Sequence, residues 1–141
     1  MKVLLAVDGS AHSRRATSAL IKQIALYKRQ PEVVLINVYY PVPNVNFGPF
    51  VSRKMVVRYY HEQADRALAA SRRMLDKAGV RYQANVLAGP IAPTIVKQCR
   101  AKRCVLIIMG TRGMGGVGNM LLGSTATKVI HLAKVPVVLV K

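Results

Sequence analysis

Residues 104 to 129 read C-V-L-I-I-M-G-T-R-G-M-G-G-V-G-N-M-L-L-G-S-T-A-T-K-V, and their order decides the fold. The apolar run Val105 to Met109 has the length of a buried strand. It enters a loop with glycines at 110, 113, 115, 116 and 118. After Asn119-Met120-Leu121-Leu122, the residues Gly123, Ser124 and Thr125 open a helix-compatible segment. Strand, glycine-rich loop and helix together suit a phosphate. Glycine lets the backbone approach an anion, and a helix start offers unpaired N–H groups at the positive end of its dipole.

Two common phosphate loops fail on this stretch. A P-loop needs G-x4-G-K-[ST]; Gly118 and Gly123 have that spacing, but Ser124 stands where the lysine belongs. The dinucleotide fingerprint G-x-G-x-x-G is met by Gly113, Gly115 and Gly118. It also requires an acidic residue about 20 positions later to hold a ribose, and no Asp or Glu follows Asp76.

A third pattern does fit. Gly110-x2-Gly113-x9-Gly123-Ser124 resembles the G-x2-G-x9-G-[ST] motif of the universal stress protein family, in its ATP-binding branch. V-L-L-A-V-D-G-S at residues 3 to 10, G-P-I-A at 89 to 92 and V-P-V-V-L-V at 135 to 140 agree with it, so the likeness spans nearly the whole chain. Val105 departs from the family, which often has Asp there, and Asn37 stands where His is common. The resemblance implies a fold: an open five-stranded parallel sheet in the order 3-2-1-4-5, helices on both faces, of the adenine nucleotide alpha hydrolase-like kind. It also implies a site for ATP. Ala6, Val7 and Asp8 would line the adenine and ribose, with Val38 beside the base. Met109, Gly110, Arg112 and Gly113 would line the ribose and phosphates, and Gly123, Ser124, Thr125 and Ala126 would bind the phosphates. The output implied is regulatory, with nucleotide occupancy changing what a dimer binds.

The residues in order support a strand–helix alternation. Lys2 to Val7 reads as a buried strand ending at the turn Asp8-Gly9-Ser10, where Ser10 can cap a helix. That helix is expected to run to about Arg29, with Ala16, Leu20, Ile24 and Tyr27 on its buried face and Pro31 beyond it. Val33 to Tyr39 is a second strand. The Pro- and Asn-rich stretch 41 to 50 continues neither element, and reads as a lid or an irregular surface connection. A long helix, Ser52 to Ala78, turns Tyr60, Ala64, Ala67, Leu68, Ser71, Leu75 and Ala78 to the sheet. Arg58–Glu62 and Arg72–Asp76 are its exposed i, i+4 pairs. Tyr82 to Ala88 is a more polar strand, suited to an edge. Gly89-Pro90 opens a third helix with Ile91, Ile95, Val96 and Cys99, and a last helix from Ser124 to Ala133 leads to the strand Val137–Val140. Such alternation means a parallel sheet with right-handed crossovers.

Composition sets the outer bounds. The 141 residues suit one domain, 1–141, and 52% hydrophobic content suits a sheet buried on both faces. No apolar run approaches the ~18 residues of a membrane span, and the first residues form no secretory pattern, so the expected location is cytoplasmic. Cys99 and Cys104 make neither a disulfide framework nor a metal site and read as small buried hydrophobes. Against 22 Lys and Arg stand 5 acids, a net charge of +17. That excess attracts polyanions in a salt-dependent way. A basic, nucleic-acid-associated protein is therefore the alternative function, although its contacts would be non-specific because no recognition motif accompanies the charge.

Catalytic residues are few. His12, His61 and His131 form no triad or metal pair, and Ser10 and Ser124 lack a base. Asp8 alone is a carboxylate at a strand end near the site. It could hold Mg²⁺ indirectly, through phosphate or water, with Arg112 facing the phosphates. One carboxylate supports weak ATPase activity at most. An ATP-pyrophosphatase would carry S-G-G-x-D-S after the first strand, and V-D-G-S-A-H-S lacks it. Val135 to Val140 is apolar on both faces; at a sheet edge it would pair with the same strand of a second copy, giving a homodimer.

Overall fold

The run Val3-Leu4-Leu5-Ala6 forms β1 (Lys2–Ala6), and all four of these side chains are buried. Successive side chains of a strand face opposite ways: Val3, Leu5 and Val7 belong to one core layer, Leu4 and Ala6 to the other. A strand buried on both faces must also be flanked at both edges. β1 pairs in parallel with β2 (Glu32–Tyr39) and β4 (Leu106–Gly110). β3 (Tyr82–Ala88) and β5 (Val137–Val140) complete the sheet in the order β3-β2-β1-β4-β5, all parallel. The computed structural model describes residues 1–41, 51–114 and 122–141.

Helices cover both faces. α1 (Ala11–Ile24) and α2 (Arg53–Lys77) place Ala16, Leu20, Leu68 and Leu75 against Leu5, Val33 and Leu35. They are joined by a buried hydrogen bond between the Thr17 and Ser71 hydroxyls at 2.8 Å. α3 (Ile91–Ala101) and α4 (Ser124–Leu132) place Ala92, Ile95, Ala126 and Val129 against Leu4, Val34, Ile36 and Ile107. The open α/β architecture is therefore the one the strand–helix alternation led one to expect, and the strand order is the one the resemblance implied.

Ser10 caps α1 as expected, accepting the Ser13 amide at 3.1 Å. Ser52, read as the first helical residue, instead caps α2, accepting the Met55 amide at 3.2 Å. Gly79 ends α2 at φ +65, and the Val80 amide reaches back to the Leu75 carbonyl at 3.0 Å. Five further expectations are corrected. α1 stops at Ile24 rather than Arg29, and Tyr27 is exposed rather than buried. Pro31 disfavours helical backbone only at the preceding Gln30; the helix has ended earlier, where the amides of Leu26 and Tyr27 make tighter bonds, three residues back, to Gln23 and Ile24. Arg72 pairs with Asp65 at 3.1 Å, two turns back, rather than with Asp76. Ala78 is exposed, one step past the helix end, and α4 stops at Leu132. Arg58 and Glu62 do pair, at 2.9 Å. Of the sequence readings, the stretch 42 to 50 and the glycines 115, 116 and 118 lie outside the described residues. Among the described residues no helix is long and apolar enough to cross a membrane.

Candidate functional site

β1 is where the connections diverge. Its own chain leaves toward α1 on one face, while that of neighbouring β4 leads to α4 on the other. A crevice opens at such a switch point beyond the carboxyl ends of the strands. Here it is a cavity of about 460 Å³, within the usual range for small-molecule sites. All twelve residues singled out for the nucleotide line it: Ala6, Val7 and Asp8 after β1, Val38 on β2, Met109 through Gly113 (without Thr111) at the end of β4, and Gly123 to Ala126 at the start of α4.

The wall divides into two chemistries. Part of the lining is apolar: Ile36, Val38, Ile91, Ile95 and Met109. Ile36 shares a strand face with Val38, and Ile91 and Ile95 share a helix face, so both pairs were recoverable from period 2 and the i, i+4 rule. Another part offers donors. α4 begins at Gly123 without any side-chain cap, so the first-turn amides of Ser124, Thr125 and Ala126 have no intrahelical partner and carry the positive dipole end. The Gly123 amide itself is spent on the Thr111 carbonyl at 2.8 Å, which fastens the helix start to the end of β4.

Asp8 is the hub of the polar side. Its Oδ1 accepts the Ser10 amide at 3.0 Å and the Ser13 hydroxyl at 2.6 Å; its Oδ2 accepts the Met114 amide at 2.9 Å. Burial pushes the carboxyl up, but these donors together outweigh it and hold the pKa below the ordinary carboxylate value. Asp8 is thus ionised at neutral pH. With Oδ1 saturated, Oδ2 retains one acceptor direction for water or a hydrated ion. No group of three His, Cys, Asp or Glu side chains able to hold a metal occurs among the described residues. A Mg²⁺ here would draw most of its ligands from phosphate and water.

The glycines have work to do inside the protein as well. A Cβ on Gly110 would lie 2.6 Å from His12 Cβ and 3.0 Å from its carbonyl carbon, and a Cβ on Gly113 would lie 2.6 Å from Asp8 Oδ2. Sequence reasoning gave these positions only to a ligand. It also missed Ser13, Thr111, Met114 and Leu122 in the lining; Ser13, one turn beyond the Ser10 cap, is the one a local pattern could have supplied. Asn37, placed near the base by the resemblance, is buried and donates to the Val7 carbonyl at 2.8 Å. It braces the strand end from outside the lining. Val105 is half exposed ahead of β4. Cys99 and Cys104 are buried free thiols; burial, aided by Cys99, pushes Cys104 up to about 11.

The profile of the universal stress protein family matches residues 1–141. The chain belongs to the universal stress protein family. A universal stress protein of Thermus aquaticus is 34% identical over 140 residues, covering 99% of this chain and 97% of its own. UspA from Lactobacillus plantarum superposes with a TM-score of 0.82 at 17% identity, over 100% of this chain and 97% of that one. The universal stress protein of Archaeoglobus fulgidus, solved in complex with dAMP, gives a TM-score of 0.72 at 20% identity, over 100% and 98% of the two chains. At these identities the two structures establish the fold.

Proposed function

We propose that this universal stress protein holds an adenine nucleotide, ATP, in the cavity beyond β1 and β4, and that its output is regulatory with little or no hydrolysis. The observation that carries the reading is that one cavity is lined both by apolar side chains and by the uncapped first-turn amides of a helix. Ile36, Val38 and Met109 suit a base, and the uncapped start of α4 suits phosphates. The Archaeoglobus fulgidus relative, solved with an adenine nucleotide, supports the same class of ligand.

Within the site the roles divide by chemistry. The amides of Ser124, Thr125 and Ala126 donate to phosphate oxygens, and the Ser124 and Thr125 hydroxyls add to them. Arg112 contributes positive charge at the same end. Asp8 fixes the loop after β4 through Met114 and presents its remaining Oδ2 direction to water. Mg²⁺, when it accompanies the nucleotide, supplies charge neutralisation between phosphate oxygens. A lone carboxylate already committed to three donors is a poor activator of water, so turnover is slow.

The deciding experiment is mass analysis of the small molecules released when freshly purified protein is denatured, with calorimetric titration of ATP into the stripped protein. An adenine nucleotide recovered in proportion to protein, or saturable ATP binding that persists at 0.5 M salt, supports the reading. Absence of both overturns it.

A further inference from the structure

The acidic side chains are gathered on one part of the chain. Asp8 lies in the cavity already described, and Glu62, Asp65 and Asp76 lie on α2. Glu32, at the start of β2, pairs with Lys2 at 3.6 Å. No Asp or Glu follows Asp76, so α3 and α4, which pack together on one face of the sheet, carry none. The terminal carboxylate of Lys141 follows the carboxyl end of β5. Crossover helices of a parallel sheet run against its strands, so α3 and α4 end at the opposite edge.

The cations there are exposed: Lys97, Arg100 and Arg103 at and just beyond the end of α3, Lys128 and Lys134 at and just beyond the end of α4. A soluble surface normally intersperses the two signs. Here one sign stands alone, and Lys97 and Arg100, one turn apart, repel each other. Arg103 adds a second observation. It takes the left-handed conformation, φ +55, in the turn that closes α3, with the Cys104 amide on the Cys99 carbonyl at 2.9 Å. Glycine is the usual residue at that place, and α2 has it, Gly79 at φ +65. The chain therefore bears an exposed arginine where glycine would relieve strain.

We propose that the α3–α4 face binds duplex DNA through its phosphates, without reading sequence. Packed helices lie about 8–10 Å apart, so two rows of cations stand at a spacing that suits two phosphate strands flanking a groove of about 6–12 Å. The major groove of an A-form duplex is narrow and deep, and fits that spacing less well. A single strand is held by aromatic stacking, and no Phe, Tyr or Trp follows Tyr82. α4 also exposes Ile130 and Leu132, so an anionic bilayer is the partner the experiment has to separate. The surface is distinct from the nucleotide cavity, which opens at the carboxyl ends of the strands.

A labelled DNA duplex, the same sequence as duplex RNA and as a single strand, and phosphatidylserine-containing vesicles are each titrated into the full chain over a range of salt. One variant combines Lys97→Gln, Arg100→Gln and Lys128→Gln; a control removes the same charge from α1 and α2 through Lys22→Gln, Arg66→Gln and Arg73→Gln, all exposed positions. In the first, duplex affinity falls about tenfold or more, and the slope of log affinity against log salt becomes shallower by about two to three, near one counterion for each lost phosphate contact. The control keeps the wild-type slope. Arg103→Gly binds the duplex more weakly although glycine stabilises its turn, so lost charge is separated from lost folding. ATP titrations are the same in all of these variants, and the test stands whether or not ATP binds. The proposal is overturned if the two triple variants weaken alike, if Arg103→Gly binds as the wild type does, if duplex RNA, the single strand or the vesicles bind as tightly as duplex DNA, or if no duplex binds at low salt.

Discussion

The Asp8 carboxylate and the Met114 amide meet at 2.9 Å across 106 positions of sequence. Through that bond the turn after β1 is tied to the chain that leaves β4. Ser10 and Ser13 supply the remaining donors from the first turn of α1. A single ionised side chain therefore links the start of one helix, the end of one strand and the mouth of the site.

Asp8→Asn tests that link through pH. The donors outweigh burial and keep the folded pKa below the unfolded one. Such a group adds stability that is present above the unfolded value and is lost as pH falls through the folded one. At pH 7 the variant should be less stable than wild type by about 1–3 kcal/mol, the worth of hydrogen bonds to a charged acceptor. Below about pH 4 the gap should close as the wild-type carboxyl protonates. Urea unfolding at pH 7 and pH 3 measures both; an equal gap at the two values would remove the charge of Asp8 from the account.

Gly110→Ala should cost stability before it costs any ligand. Its added methyl must displace His12, including backbone at 3.0 Å, and overpacking of this kind costs about 1–3 kcal/mol. Gly123→Val, where the nearest atom is the Thr111 carbonyl oxygen at 3.2 Å, should weaken ATP with a smaller effect on folding. Denaturant midpoints and ATP titrations of the two variants give the comparison. The reverse ranking of their stabilities would show that the tight packing around Gly110 yields easily.

Hydrolysis should be slow. Asp8 is the lone carboxylate in the described lining of the cavity, and its oxygens already accept three hydrogen bonds. Phosphate release from ATP with Mg²⁺ should fall well below the ~10 per second typical of enzymes. Rapid, Mg²⁺-dependent release that disappears in Asp8→Asn would make the protein an ATPase.

The strands were legible because a sheet buried on both faces writes itself as continuous apolar runs: Val3 to Val7, Val33 to Ile36 and Leu106 to Met109. The start of α1 was legible because the cap residue Ser10 marks it. Helix ends were not legible where tertiary geometry decides, as at Ile24, beyond which Tyr27 continues the apolar spacing but the chain must turn back toward β2. The site residues could be named by resemblance, yet the reason for Gly110 and Gly113 could not. Their contacts, His12 and Asp8, lie 98 and 105 positions away, and local sequence carries no record of such approaches. The same holds for Arg72, whose pairing with Asp65 rather than Asp76 is not set by the i, i+4 spacing alone.

The last prediction concerns β5. It pairs with β4 on one side and lies at the end of the strand order, so its outer edge presents backbone donors and acceptors. Val138 remains 36% exposed on a strand whose four residues are all apolar. Soluble proteins blunt such an edge with charge, a bulge or a cover; here Pro136 removes one donor and Lys141 adds a charge only beyond the strand. Antiparallel pairing with β5 of a second copy about a two-fold axis would satisfy these groups and close the assembly. The net charge of +17 opposes association, so the dimer should tighten as salt screens it. Sedimentation of wild type and Val138→Lys at low and high salt measures this. The wild type should be dimeric at micromolar concentration in high salt, and Val138→Lys should shift toward monomer. A wild-type monomer under those conditions would sink the proposal, and a dimer indifferent to Val138→Lys would place the interface elsewhere.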